Sequence, residues 1–213
     1  MKTSLKTKTF GVTTCIAMML SLVSLPVTQI NAASPAPNEP TKETINNAEF
    51  IFANGVPITI TAIDSNKNKV SWDGGSMEIS IKANVFGGSH DSDTVLENTS
   101  VIMESGTVNA VVGGGLHTSH VKNSNVIING GSVPSQVVGG GASSFVKDTH
   151  AWYSGDAKNS PCLVEHANVT INGGNAYSLV FGGGEGISNT NSATVTINAG
   201  DFSKAYVTAG GSK

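Results

Sequence analysis

Two short motifs recur along the chain at one shared interval, and that interval limits the fold more than any other feature. Val85-Phe86-Gly87-Gly88, Val111-Val112-Gly113-Gly114-Gly115, Val137-Val138-Gly139-Gly140-Gly141 and Val180-Phe181-Gly182-Gly183-Gly184 are copies of one motif, with Tyr206-Val207-Thr208-Ala209-Gly210 a degenerate last copy. Read from 87, 113, 139, 182 and 208, the steps are 26, 26, 43 and 26 residues. A second marker keeps pace: Val101-Ile102-Met103-Glu104, Val126-Ile127-Ile128-Asn129, Val169-Thr170-Ile171-Asn172 and Val195-Thr196-Ile197-Asn198, at steps of 25, 43 and 26. Two markers that agree on one long step require an insertion there, near residues 144–162.

Each unit holds two or three short β-type runs broken by Gly, Asn and Ser. In the Val-x-Ile-Asn run the period is two, so Val169 and Ile171 point one way and Thr170 the other. A unit this short cannot bury its apolar face alone and must stack on its neighbours. The expected fold is all-β: a right-handed parallel β-helix (β-solenoid) of about five coils over residues 69–213. The Gly triplets are expected at a corner that needs positive φ. Asn129, Asn172 and Asn198 are expected to stack as a hydrogen-bonded ladder, with Glu104 and Asp73 in the same column; the competing reading gives Asp73 and Glu104 a catalytic role. Residues 33–45 read as an extended linker. Residues 46–68 read as an N-terminal capping β-hairpin, in which 48–64 turn at Asn54-Gly55. No C-terminal cap is evident, and that end is expected to dock on a partner, to self-associate, or to continue in a longer chain.

Composition narrows the class. Gly, Ser, Thr and Asn make up about two fifths of the 213 residues and charged residues 13%, which excludes a coiled coil. The 12 basic residues are all Lys, so bidentate guanidinium contacts to phosphate or bases cannot form and nucleic acid is excluded as a partner. Residues 1–32 read as a secretory signal peptide: Lys2, Lys6 and Lys8, then an apolar run from Gly11 to Leu25, Pro26, and Ile30-Asn31-Ala32 before the cut. That run is too short to span a bilayer comfortably, so an exported chain without membrane insertion is expected. Without the three leader lysines the charge is about −6, which disfavours anionic surfaces. Cys162 alone remains after the leader, so no internal disulfide can form.

The run "VVGGG…SNVIINGGSV…VVGGG…ANVTINGG…LVFGGG" resembles the Gly-rich repeats of exported bacterial surface proteins, over about residues 69–211. The resemblance implies a β-helical stalk or adhesin-like module, secreted or held at the cell surface.

Two clusters are candidates for chemistry. His90, Asp91 and Asp93 follow one Gly corner and His117 and His120 the next, so stacked loops could hold Ca2+ or a softer divalent ion; otherwise no cofactor is implied. The insertion carries Asp148, His150, Trp152, Tyr153 and Asp156, where aromatic rings suit sugar faces and the polar groups suit hydroxyls. The alternative is that the aromatics pack back on the scaffold. The function expected is a non-catalytic structural or adhesive surface module that binds a glycan or surface protein by this loop or by its faces. The alternative is a carbohydrate-active enzyme, a polysaccharide lyase or glycoside hydrolase relative, but the chain lacks Arg and the paired-acid runs that such chemistry uses. An ice-binding face would need outward Thr on every rung, and Ser71, Ile102, Ile127, Thr170 and Thr196 supply only two.

Overall fold

The computed structural model describes residues 39–90, 92, 94–142, 161–176 and 178–211. The expected signal peptide, most of the expected linker and the candidate residues 148–156 lie outside them. The described residues are all-β and form three sheets. The first orders β1 (Thr41–Ile45), β2 (Ala48–Phe52), β6 (Asn84–Phe86), β8 (Ala110–Val112), β11 (Gln136–Val138), β14 (Leu179–Phe181) and β16 (Tyr206–Thr208). The second orders β15 (Asn189–Ile197), β12 (Leu163–Ile171), β9 (His120–Ile128), β7 (Val95–Met103), β3 (Ile58–Ala62), β4 (Lys67–Trp72) and β5 (Gly75–Ser80). β10 (Ser132–Val133) and β13 (Asn175–Ala176) make a short parallel pair.

The expected right-handed parallel β-helix is corrected by this layout. Both seven-stranded sheets are mixed: β1 pairs with β2, β3 with β4 and β4 with β5, all antiparallel. The cause is local. The segment before Ser80 lies outside the repeat and carries its own reversal signals. Asn46 and Asn47, both at positive φ (50° and 64°), close the β1–β2 hairpin with the twist that two-residue hairpins favour. Asp73-Gly74, with Gly74 at φ 98°, closes β4 on β5. Part of the expected linker is therefore a strand, β1. Asn54-Gly55 does turn the chain, but it carries it from β2 in the first sheet to β3 in the second, so no hairpin spans 48–64.

Within the repeat, equivalent strands pair in parallel and in register. Val101, Val126, Val169 and Val195 face one another across β7, β9, β12 and β15. In the first sheet the row is Ile51, Val85, Val111, Val137, Val180 and Val207, so the last step there is one residue longer than the 26 read from the motif. These two rows, apart from Val207, meet in the main core with Met103, Ile128 and Ile171. The first sheet is buried on its other face too, where Phe50, Phe52, Phe86, Val112, Val138 and Phe181 form a second cluster. Burial on both faces explains why its strands read as unbroken apolar runs and the second sheet's as alternating ones. Towards β15 and β16 the rows thin out: Ile197 is 41% and Val207 40% exposed, whereas Ile171 and Val180 are buried.

The glycine triplets were expected at positive φ and do not sit there; that conformation falls at Gly106, Gly131, Gly174 and Gly200, just beyond the Glu104–Asn198 column. The triplets are needed for close approach. The amides of Gly87, Gly113, Gly139 and Gly182 each donate to a carbonyl of the next repeat at 2.8 Å. A Cβ on Gly139 would lie against the Gly182 carbonyl oxygen and 2.9 Å from Val169 Cγ2. Gly139→Ala is therefore expected to cost more than about 2 kcal/mol, because backbone and core must both shift. Urea unfolding of the variant beside the parent measures it, and an unchanged midpoint would contradict the close-packed account.

Candidate functional site

The outward face of the second sheet is built by strict register. Side chains that alternate with the core valines line up across β7, β9, β12 and β15 as three rows: Ser100, Asn125, Asn168 and Thr194; Ile102, Ile127, Thr170 and Thr196; then Glu104, Asn129, Asn172 and Asn198 just past the strand ends. Neighbouring strands stand about 4.8 Å apart, so each row is a regular comb. In the last row Asn129 Nδ2 donates to Glu104 Oε1 at 2.9 Å, Asn172 Nδ2 to Asn129 Oδ1 at 2.8 Å, and Asn198 Nδ2 to Asn172 Oδ1 at 2.7 Å. Asp73 does not join this column. The antiparallel course of β4 puts Ser71, not Asp73, beside Thr59, which in turn pairs with Ile102.

At the other end of the same strands, Lys122 pairs with Glu97 at 2.6 Å and Asn123 Nδ2 donates to Asn98 Oδ1 at 3.2 Å. His120, a candidate metal ligand, instead contacts Glu165 through Nε2 at 3.1 Å. The other two histidines of that candidate site, His90 and His117, come together. His90 stacks on Phe52 with ring centres 5.1 Å apart and approaches His117 at 5.3 Å. His117 is buried and held at φ 55°, where the later repeat has Gly186 at φ 68°. His90 Nδ1 meets Glu43 Oε2 at 2.9 Å, an arrangement that fixes the ring's orientation. A cleft of about 390 Å³ opens here, lined by Thr41, Glu43, Asn54, Ser89, His90 and Ser92 among others. Glu43 was not found from sequence because it fell in the predicted linker. Asp91 and Asp93 lie outside the described residues, and among those described no group of three or more His, Cys, Asp or Glu is gathered as a metal site.

Two buried groups complete the titratable chemistry. Cys162 sits in the register position of Ser119 and Ser188, immediately before a long strand of the second sheet, and under Gly141. Burial pushes its thiol up to about 12, against a smaller opposing backbone hydrogen bond with Gly115, so it is held as an inert thiol. Glu185 is buried on the outer side of the first sheet, where Gln136 Nε2 donates to its Oε2 at 2.7 Å. Burial raises its pKa to about 7, with the Gln136 hydrogen bond working in the opposite direction. The loop candidates Asp148, His150, Trp152, Tyr153 and Asp156 lie outside the described residues.

No family model, no curated protein and no solved structure matches the chain. The geometry alone therefore carries the functional argument.

The Glu185 shift has a stability consequence with a definite sign. The folded chain binds this proton more tightly than the unfolded chain. The stabilisation is complete below the ordinary carboxylate range and is lost as pH rises through about 7. Unfolding free energy is expected to fall by about 2 kcal/mol between pH 5 and 8 on this account. Glu185→Gln should flatten that slope. Urea titrations at each pH measure it, and an equal slope in the variant would contradict the assignment.

Proposed function

We propose that the chain is an exported, non-catalytic adhesive module that binds a neutral glycan across the outward face of its second sheet. The observation that supports this is the comb of amide and hydroxyl groups flanking the Ile102–Ile127–Thr170–Thr196 row. Asn carries both donor and acceptor, which suits hydroxyls that are themselves both. In the intervening row Ile102 and Ile127 suit the C–H face of a pyranose ring, and Thr170 and Thr196 add hydroxyls. The face is preorganised by backbone pairing, so little entropy is lost when a long polymer settles on it. The 148–156 loop is the other surface the sequence offers for a glycan, and the two surfaces predict different mutational results.

The enzymatic alternative has one observation in its favour, the Glu43–His90 pair in its cleft. Glycoside hydrolysis by the usual route needs two carboxyl groups about 5–9.5 Å apart. Glu43 supplies one carboxylate in the described lining of that cleft, and Asp91 and Asp93 lie outside the described residues; the binding reading is carried by the comb on the second sheet.

Self-association belongs with the same reading. β1 and β5, the edges of the two sheets at one end, carry Lys42, Glu43 and Glu78, which discourage pairing with another strand. β15 and β16, the edges at the other, carry no charged side chain and leave Ile197 and Val207 partly exposed. Sedimentation velocity across a hundredfold range of concentration is expected to show growth beyond the monomer, weakened by Lys at the exposed, outward Thr196 of the edge strand (Thr196→Lys); a single monomer boundary throughout would reject this part.

Native affinity electrophoresis tests the glycan reading. The full chain is run through gels holding hydroxyethylcellulose, arabinoxylan, galactomannan or glycol chitin. At least one should retard it, and to a similar degree in low and high salt, since the binding face is largely uncharged. Asn125→Ala with Asn168→Ala should weaken that retardation roughly tenfold. If Trp152→Ala with Tyr153→Ala abolishes it instead, the loop is the site; if no polymer retards the chain, the glycan reading is wrong.

A further inference from the structure

The two long sheets do not stop level at the β15–β16 end. Strands alternate between them in couples, β2 with β3, β6 with β7, β8 with β9, β11 with β12 and β14 with β15, and β16 then adds a rung to the first sheet alone. Among the described residues no strand of the second sheet answers it, so β15 is an edge with β16 standing one strand further on across the core. The apolar rows are open in the same place. Ile197 and Val207 are exposed, while their counterparts one rung back, Ile171 and Val180, are buried.

We propose that the free edge of β15 is a docking site for an extended polypeptide strand, which adds to the second sheet in parallel and repeats the Val-x-Ile-Asn pattern of the strands beneath it. The inference goes beyond the self-association reading and names a different occupant for the same edge. A strand edge offers amides and carbonyls at fixed intervals, and main-chain pairing to such an edge is a recurring way of gripping an extended peptide. β15 is nine residues long without Pro or a charged side chain, so none of the usual guards bars that approach. From Ile187 to Gly211 the charged residues are Asp201 and Lys204, of opposite sign, and this end as a whole is neutral.

The register already built states which side chains the incoming strand needs. Val195 and Ile197 continue the core rows of Val169 and Ile171, so a strand laid on β15 must bring apolar groups to those two positions. The amide ladder sets the position past the strand end. Asn198 Nδ2 donates to Asn172 at 2.7 Å, and among the described residues nothing donates to Asn198 Oδ1. An asparagine on the incoming strand would donate there, as Asn129, Asn172 and Asn198 each donate to the rung before them. Aspartate would not, since a carboxylate only accepts. The ladder also fixes direction. The amide arrives beside Asn198 when the strand runs parallel to β15, whereas an antiparallel strand carries it to the Asn189 end.

A folded second copy meets these demands less well. Its β9 and β12 are paired on both edges, and two free β15 edges brought together with their core faces on one side run antiparallel. A strongly polar segment fails over Val195 and Ile197. An extended segment not yet held in a sheet satisfies the backbone, the core rows and the ladder at once.

Fluorescence anisotropy with the full chain provides the test, at the dilute end of the concentration range used for sedimentation. The probe is a fluorescein-labelled synthetic peptide copying residues 120–129, a run that carries Lys122 for solubility. The expected result is saturable binding, weakened roughly tenfold by Asn129→Asp in the peptide. Asn198→Ala in the chain should remove that preference for Asn over Asp, which a general loss of stability would not do. A benzophenone at the peptide's C terminus should cross-link near Asn198; cross-links near Asn189 would overturn the parallel assignment. Equal binding of a scrambled peptide overturns the proposal, as does no binding at all. If the chain self-associates in sedimentation and the peptide does not bind, a second copy is the occupant and only the self-association reading survives. A monomeric chain that binds the peptide gives the reverse, and a monomeric chain that does not bind it sinks both.

Discussion

Backbone contact between glycines of successive repeats sets the spacing on which the rest depends. The first amide of each triplet donates to the next repeat's carbonyl at 2.8 Å, and the second does so at 2.9–3.1 Å. Any side chain there would strike the neighbouring carbonyl or a core side chain from the second sheet. With the triplets seated on one another, every strand that follows begins at the same height. The valine rows, the amide ladder and the outward comb are consequences of that alignment. Hydrophobic burial supplies the main driving force, but it is tolerant of sliding, whereas a carbonyl at contact distance is not.

The repeat was legible in the sequence because it leaves its mark twice, once in glycine and once in the Val-x-Ile-Asn run. The column of Glu104, Asn129, Asn172 and Asn198 follows from those positions alone, since parallel strands in register bring equal offsets together. Asp73 was misassigned by extending the period one step too far, into a segment where β4 runs antiparallel. The reversal signals at Asn46-Asn47 and Asp73-Gly74 were present but were overruled by the stronger periodicity. The reason for the glycines was also misjudged: sequence shows that a side chain is absent, not whether the backbone angle or the neighbour requires it. Glu43 was missed beside His90 because it sits outside the repeat, where no column predicts a neighbour.

That last point bears on where a site can arise. A face made by translation is flat and gives every position the same surroundings, so it offers extent without a distinctive recess. The recess appears where the translation stops. Asn68 illustrates the same break in the interior: its buried side chain takes the place of a backbone rung, with Nδ2 donating to the Thr107 carbonyl at 2.5 Å and Oδ1 accepting from the Thr107 amide at 3.2 Å. The first repeat is thus finished by side-chain chemistry, while later ones are finished by one another.

The step from β9 to β12 takes 43 residues where its neighbours take about 26, yet Val126 meets Val169 in register and the Asn129–Asn172 bond is 2.8 Å, between the 2.9 and 2.7 Å of the ladder bonds on either side. Position in this protein is therefore counted in rungs and not in residues. The register on either side of the long step is set by pairing between rungs, so the number of residues between two rungs does not decide which side chains meet across them.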